Sequence, residues 1–145
     1  DAPIDSYAVG THMTTSSDAP FFECAYKLQE YAGRARRKRS EGKATWPGRK
    51  QVYREHTADG RLARDLLALE TERHPGAALL EPAMRGGQRV APAPSLDSIR
   101  RRALGEFECL PDRLRRLERA QTDYRVEVTP ALYSLADEVD RAMSA

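Results

Sequence analysis

Apolar and polar positions change rhythm along the chain. The first half reads as β-structure and loops, the middle as mixed, and the last third as helical. Ile4 to Gly10 is an apolar run ending at Gly-Thr, the pattern of a buried strand, and Thr14 to Pro20 follows as a turn-rich loop. From Cys24 to Ala32 the residues alternate, with Cys24, Tyr26 and Leu28 on one face, which predicts a strand. Pro47-Gly48 precedes a further strand over Lys50 to Arg54. Asp59-Gly60 predicts a hairpin turn into Leu62–Leu69, whose leucines fit either period and are read as a strand because of that turn. Leu79 to Met84 and Gln88 to Ala91 flank Gly86-Gly87 and predict a second hairpin.

Helical spacing begins at Ser95, a good N-cap, with Leu96, Ile99, Ala103, Phe107 and Leu110 following. Pro111 interrupts it, and Leu114 and Leu117 predict one or two further turns. Tyr124, Val126 and Val128 alternate with polar residues as a short half-buried strand. The clearest helix comes last. Thr129 caps it, Pro130 takes its first position, and Leu132, Leu135, Ala136 and Val139 form one apolar stripe.

At 145 residues, 40% apolar and 32% charged, the chain has the size and composition of an ordinary water-facing domain. No apolar run approaches the roughly 20 residues of a membrane helix. The first residue is Asp1, not Met, so the expectation is a part of something longer. Cys24 and Cys109 match no metal spacing and make no disulfide framework, which predicts a reducing, cytoplasmic setting. The formal charge of +2 conceals an uneven distribution. Nine basic residues lie between Arg34 and Arg54 against Glu41 alone, a block of +8 that leaves −6 for the remainder.

That block invites two readings. With Tyr31, Trp46 and Tyr53 interleaved it resembles a stacking surface for nucleic acid, or for another acidic partner. The acidic remainder argues against nucleic acid, and a solvated sheet face or a subunit interface is the plainer reading. Residues 40–45 lack a P-loop, because Arg37 and Ala44 occupy the positions that require Gly and Ser or Thr. His12, His56 and His74 are isolated from one another and have no Ser, Cys or acidic partner at an informative spacing, which predicts surface, loop or structural roles, and neither cysteine sits near a His or a basic cluster that would activate it. Val9-Gly10-Thr11 is a better candidate. Glycine lets backbone N–H groups approach a phosphate closely, and a threonine hydroxyl adds a donor.

Taken in order, Ile4–Thr11, Thr15–Pro20, Tyr26–Gly33, Ser40–Arg54 and Pro82–Gly87 resemble the C-terminal part of the nicotinate phosphoribosyltransferase family. The 15-residue block from Ser40 to Arg54 is the most specific piece. The resemblance implies an α+β fold in which residues 1–23 end an irregular α/β phosphoribosyltransferase barrel and residues 24–145 form a C-terminal accessory region. It implies a ligase-type glycosyltransferase of NAD biosynthesis that joins nicotinate to 5-phosphoribosyl 1-diphosphate, coupled to ATP hydrolysis, with Mg²⁺ on the leaving diphosphate. The expected assembly is a homodimer, with no nucleic-acid or membrane partner. Gly10 and Thr11 match the family's phosphate-holding strand end, although Ala8 replaces a glycine common there. Lys43 and Lys50 are candidates for phosphate or interface contacts. No catalytic residue and no metal ligand is assigned within the chain, since the phosphorylated His and the nicotinate-clamping Arg belong to upstream segments of the family. The chain alone is therefore expected to be inactive. The alternatives are an Arg-rich module for nucleic acid or an acidic partner, and a structural remnant.

Overall fold

The computed structural model describes Gly10, Thr15, residues 26–116 and residues 118–143. In chain order the elements are β1 (Glu30–Tyr31), β2 (Arg34–Ala35), β3 (Lys50–His56), β4 (Leu62–Leu69), β5 (Ala77–Ala78), β6 (Met84–Arg85), β7 (Gln88–Arg89), α1 (Leu96–Glu108), α2 (Asp112–Arg115), β8 (Val126–Val128) and α3 (Pro130–Ala142). This is the expected α+β content. The strand assigned to Ile4–Gly10 falls almost wholly outside the described residues.

The β3–β4 hairpin organises everything else. Its turn closes as predicted at Asp59-Gly60, with Thr57 N–H donating to the Arg61 carbonyl at 2.8 Å and Gly60 at a φ of +81°. Six residues of each strand pair in continuous register from Lys50↔Leu69 to Glu55↔Arg64, and a bulge follows between Glu55 and His56. β5 adds to the outer edge of β3 in antiparallel fashion, and β8 adds to β4 in parallel, giving the order β5-β3-β4-β8.

Immediately after β8 the chain turns into α3. Thr129 is buried; its N–H donates to the Leu67 carbonyl at 3.0 Å, its hydroxyl donates to Glu72 at 2.8 Å, and the same oxygen accepts from Leu132 N–H. The cap is thus fastened to the sheet it leaves. Leu132, Ala136 and Val139 recur at i, i+4 and i+7 and are all buried, so the predicted stripe is core. The 46–48 loop also packs against α3. The Trp46 ring meets Tyr133 edge-on at 4.8 Å, and a Cβ at Gly48, whose φ is +73°, would stand 3.0 Å from Leu135.

Two strand expectations shrink. Of the described part of Cys24–Ala32, residues 26–32, only Glu30–Tyr31 pairs as a strand, in a tight hairpin with Arg34–Ala35, while Tyr26 and Leu28 are exposed. The Gln29 carbonyl also accepts from the N–H groups of Arg36 and Gly48, each at 2.8 Å, but these bonds extend no ladder back to Tyr26. Likewise Leu79–Met84 contributes only Met84 to a strand, pairing Met84–Arg85 with Gln88–Arg89 across Gly86-Gly87; Pro82 supplies no ladder donor.

Helix α1 forms with its Ser95 cap, but none of its residues is buried. Leu96 is 84% and Phe107 48% exposed. Its C-terminal end alone is tied to the sheet. Leu62 N–H donates to the Cys109 carbonyl at 2.8 Å, and Arg61 Nη1 donates to the carbonyls of Glu108 and Leu110 at 2.7 and 3.0 Å. Among the described residues no helix is long and apolar enough to cross a membrane.

Candidate phosphate-facing site

The basic block becomes a hairpin, a loop and the start of β3. Lys38 and Thr45 close the foot of the loop. Lys38 N–H donates to Thr45 Oγ1 and Thr45 N–H donates to the Lys38 carbonyl, each at 3.0 Å. Beyond that foot Lys43 N–H donates back to the Ser40 carbonyl at 3.0 Å around Gly42, whose φ is +64°. The tip carries Lys43 into solvent.

Much of the +8 charge is compensated within the chain. Arg37 and Arg39 both reach Asp140 on α3, at 3.5 and 3.6 Å. Arg49 Nε donates to Glu30 at 2.9 Å. Arg54 grips Asp65 with two bonds, Nε to Oδ1 at 2.9 Å and Nη2 to Oδ2 at 2.8 Å; cross-strand partners share a face. Tyr124 donates to Asp65 Oδ1 at 3.0 Å, and Glu106 on α1 stands 3.4 Å from Arg54. The Arg54 guanidinium holds the Asp65 carboxyl below its ordinary range, burial notwithstanding. Burial first, then the bond to Asp65, pushes the Tyr124 hydroxyl up to about 12.

Lys50 is used differently. Its ammonium donates to the carbonyls of Trp46 at 2.8 Å and of Gly48, and to Gln29 Oε1 at 3.3 Å. All three N–H bonds of the ammonium therefore have acceptors inside the chain. Its surroundings lower its pKa, burial being the cause. Lys50 locks the 46–48 loop to the segment before β1, whereas Lys43 remains open to a ligand. Arg34, Arg36 and Lys38 also have no carboxylate partner among the described residues. The outward charge of the block is thus Arg34, Arg36, Lys38 and Lys43.

Of the phosphate motif, Gly10 is described and exposed, with no atom within 4 Å of where a Cβ would stand. Thr11, Ala8 and His12 lie outside the described residues, as does Cys24. The aromatic residues do not form the stacking surface that the less favoured nucleic-acid reading requires. Tyr53 is buried with its hydroxyl on the Glu72 carbonyl at 2.7 Å, and Trp46 is engaged by Tyr133; Tyr31 stays exposed. His74 is half-buried in its loop, 3.3 Å from Glu72 and edge-on to Tyr53. His56 is exposed, and Cys109 caps α1. The sequence does not single out Asp140, whose partner Arg37 is 103 residues away, and the Arg54–Asp65 pair depends on the register of the β3–β4 hairpin, which the Asp59-Gly60 turn alone does not set.

Comparison with known proteins converges on one family. The family model for the nicotinate phosphoribosyltransferase C-terminal domain matches residues 76–136, which run from the end of the loop before β5 into α3. The chain is 43% identical over 130 residues to nicotinate phosphoribosyltransferase pncB2 of Mycobacterium tuberculosis, covering 88% of this chain and 27% of that protein. It is 31% identical over 159 residues to the nicotinate phosphoribosyltransferase of Mus musculus, covering 92% and 29%. The fold matches the crystal structure of human nicotinic acid phosphoribosyltransferase with a TM-score of 0.67 and 27% identity, over 80% of this chain and 26% of that one. The chain spans little more than a quarter of these relatives. With fold, sequence and domain model in agreement, the chain belongs to the nicotinate phosphoribosyltransferase family, as a segment carrying its C-terminal domain.

Proposed function

We propose that the complete protein joins nicotinate to 5-phosphoribosyl 1-diphosphate, giving nicotinate mononucleotide and diphosphate with coupled ATP hydrolysis, as a cytoplasmic homodimer in NAD salvage. The observation that carries this reading is the 43% identity over 88% of the chain to a nicotinate phosphoribosyltransferase. In this reaction the ring nitrogen attacks the anomeric carbon, the diphosphate departs, and positive charge develops on the ribose. The protein's task is to align the two reactants and to hold the leaving group's charge.

On this reading residues 1–23 end the barrel, Gly10 and Thr11 hold a substrate phosphate, and the C-terminal region supports them. The charge of Arg34, Arg36, Lys38 and Lys43, which has no carboxylate partner among the described residues, faces a phosphate, in the same subunit or its partner. Mg²⁺, when bound, neutralises the diphosphate. The role proposed for these basic residues is positioning and charge.

The test is a turnover assay on the complete protein. Nicotinate mononucleotide should form only when nicotinate and 5-phosphoribosyl 1-diphosphate are both present, and the 145-residue chain alone should give none. Thr11→Ala should reduce kcat/KM for 5-phosphoribosyl 1-diphosphate about tenfold, the loss of one hydrogen bond to a charged group. Lys43→Met should raise KM for a phosphorylated substrate, while unchanged constants in both variants would place these residues outside the site. Turnover by the isolated chain would overturn the division of labour proposed here.

A further inference from the structure

The segment from Cys109 to Arg125 makes an excursion that leaves β4 and returns to it. At one foot Leu62 and Arg61 bond the carbonyls of Cys109, Glu108 and Leu110. At the other, Asp65 N–H donates to the Arg125 carbonyl at 3.0 Å and the Asp65 carboxylate accepts from Tyr124. Between these anchors the chain curls around a cavity of about 320 Å³ lined by Arg113, Arg116, Glu118, Arg119, Gln121 and Thr122, with Ala120.

Three guanidiniums against one carboxylate give this lining a formal charge of +2. Among the described residues none of Arg113, Arg116 and Arg119 has a carboxylate partner. The fourth arginine of the run behaves otherwise. Arg115 stands 3.9 Å from Asp112 and lies over the Phe107 ring at 5.3 Å. Asp112 is itself shared with Arg61 at 3.8 Å and is not among the cavity's lining residues. Like charges gathered around one concavity repel each other until an anion enters between them. Guanidinium is the side-chain group best shaped for phosphate, because its planar fork offers paired N–H donors. Gln121 and Thr122 add neutral donors beside it. The volume lies at the lower end of the roughly 300–1,000 Å³ typical of ligand pockets, which suits a small ion and not a polymer.

We propose that this cavity binds a phosphate or diphosphate group, free or carried on a nucleotide, between Arg113, Arg116 and Arg119. The site is independent of the transferase reading, since it rests on these side chains alone. It shares no lining residue with the basic block before β3, where Arg34 and Arg36 edge a separate concavity of about 240 Å³ against α3.

Arginine-selective dicarbonyl modification of the complete protein, read residue by residue by peptide mass spectrometry, tests it. The probes are inorganic phosphate, inorganic diphosphate and ATP at fixed ionic strength. At least one should slow modification of Arg113, Arg116 and Arg119 together, saturably, by about fivefold or more, while Arg100, Arg101 and Arg102 on α1 react unchanged. Protection by the inorganic anions identifies a free ion as the ligand, and protection by ATP alone identifies a nucleotide's phosphate chain. Arg116→Gln should weaken the apparent affinity about tenfold, and Glu118→Gln should strengthen it about threefold by removing the one carboxylate in the lining. Equal reactivity with and without every probe overturns the proposal, as does protection that extends equally to the α1 arginines. Because the transferase assay is separate, failure here leaves that reading standing and the reverse also holds.

Discussion

Replacing Asp65 by Asn removes one charge from the most enclosed ion pair in the sheet while keeping the side chain's shape. The Asp65 and Arg54 side chains are 13% and 24% exposed, so solvent screens them little. Asn retains one acceptor oxygen for Arg54 or Tyr124 but sets an amide N–H₂ where a carboxylate oxygen now takes a 2.8 Å bond. One charge-assisted bond, about 1.5–3 kcal/mol, is lost. Removing one partner of a fully buried pair costs about 3–5 kcal/mol; Arg54 keeps Glu106 at 3.4 Å, which lowers the expected cost to about 2–3 kcal/mol. Equilibrium urea unfolding of wild type and variant at pH 7 measures it. The pH dependence follows from the depressed Asp65 carboxyl. A carboxyl whose folded pKa lies below its unfolded value stabilises fully above the unfolded value, and this stabilisation is lost as pH falls through the folded one. The gap between wild type and variant should therefore be level near neutrality and begin to close below about pH 4. A cost under about 0.5 kcal/mol, the range of an exposed pair, would refute the reasoning. So would a gap that stays constant through the acid range. Spectrophotometric titration gives an independent check: the Tyr124 hydroxyl, at about 12 in the wild type, should titrate lower in Asp65→Asn.

Gly76→Ala should destabilise far more than Gly60→Ala, by denaturant midpoint. Both have positive φ, worth about 1–2 kcal/mol of strain each, but a Cβ at Gly76 would lie 2.5 Å from the Arg54 carbonyl oxygen while Gly60 faces open space. Equal costs would mean that backbone strain alone matters there. Thr129→Ala should cost about 1–2 kcal/mol and fray the first turn of α3, seen as faster amide exchange at Leu132, because it removes both the cap and the bond to Glu72. Unchanged exchange would show that Pro130 and the sheet contact hold the turn without it.

Features set by short stretches of chain were legible in the sequence. Asp59-Gly60 between two strand candidates specified the β3–β4 hairpin, and Thr129-Pro130 before a spaced apolar stripe specified α3. Features that depend on what lies opposite were not. Tyr26 and Leu28 alternate as a strand would, yet alternation cannot say whether another backbone is there to pair with. The stripe on α1 predicted a helix correctly, but periodicity records an apolar face and not what covers it. At the candidate site, the charge of the basic block was visible while its distribution was not. Asp140 is about a hundred residues from Arg37, and the acceptors around Lys50 are mostly carbonyls, which every residue possesses.

The parallel pairing of β8 with β4 also constrains the order in which the chain can be assembled. Val128 bonds beside Leu67, 61 residues earlier. At about 5–20 residues per second of synthesis, the outer edge of β4 waits roughly 3–12 s for its partner. Throughout that interval the hairpin presents unpaired backbone donors and acceptors, the condition under which sheets join the wrong neighbour. Arg64 and Asp65 sit on that edge, one on each face, and a charged side chain on both faces of a waiting strand discourages a second copy from settling there. The charges that fasten the finished sheet thus also protect it before it is complete.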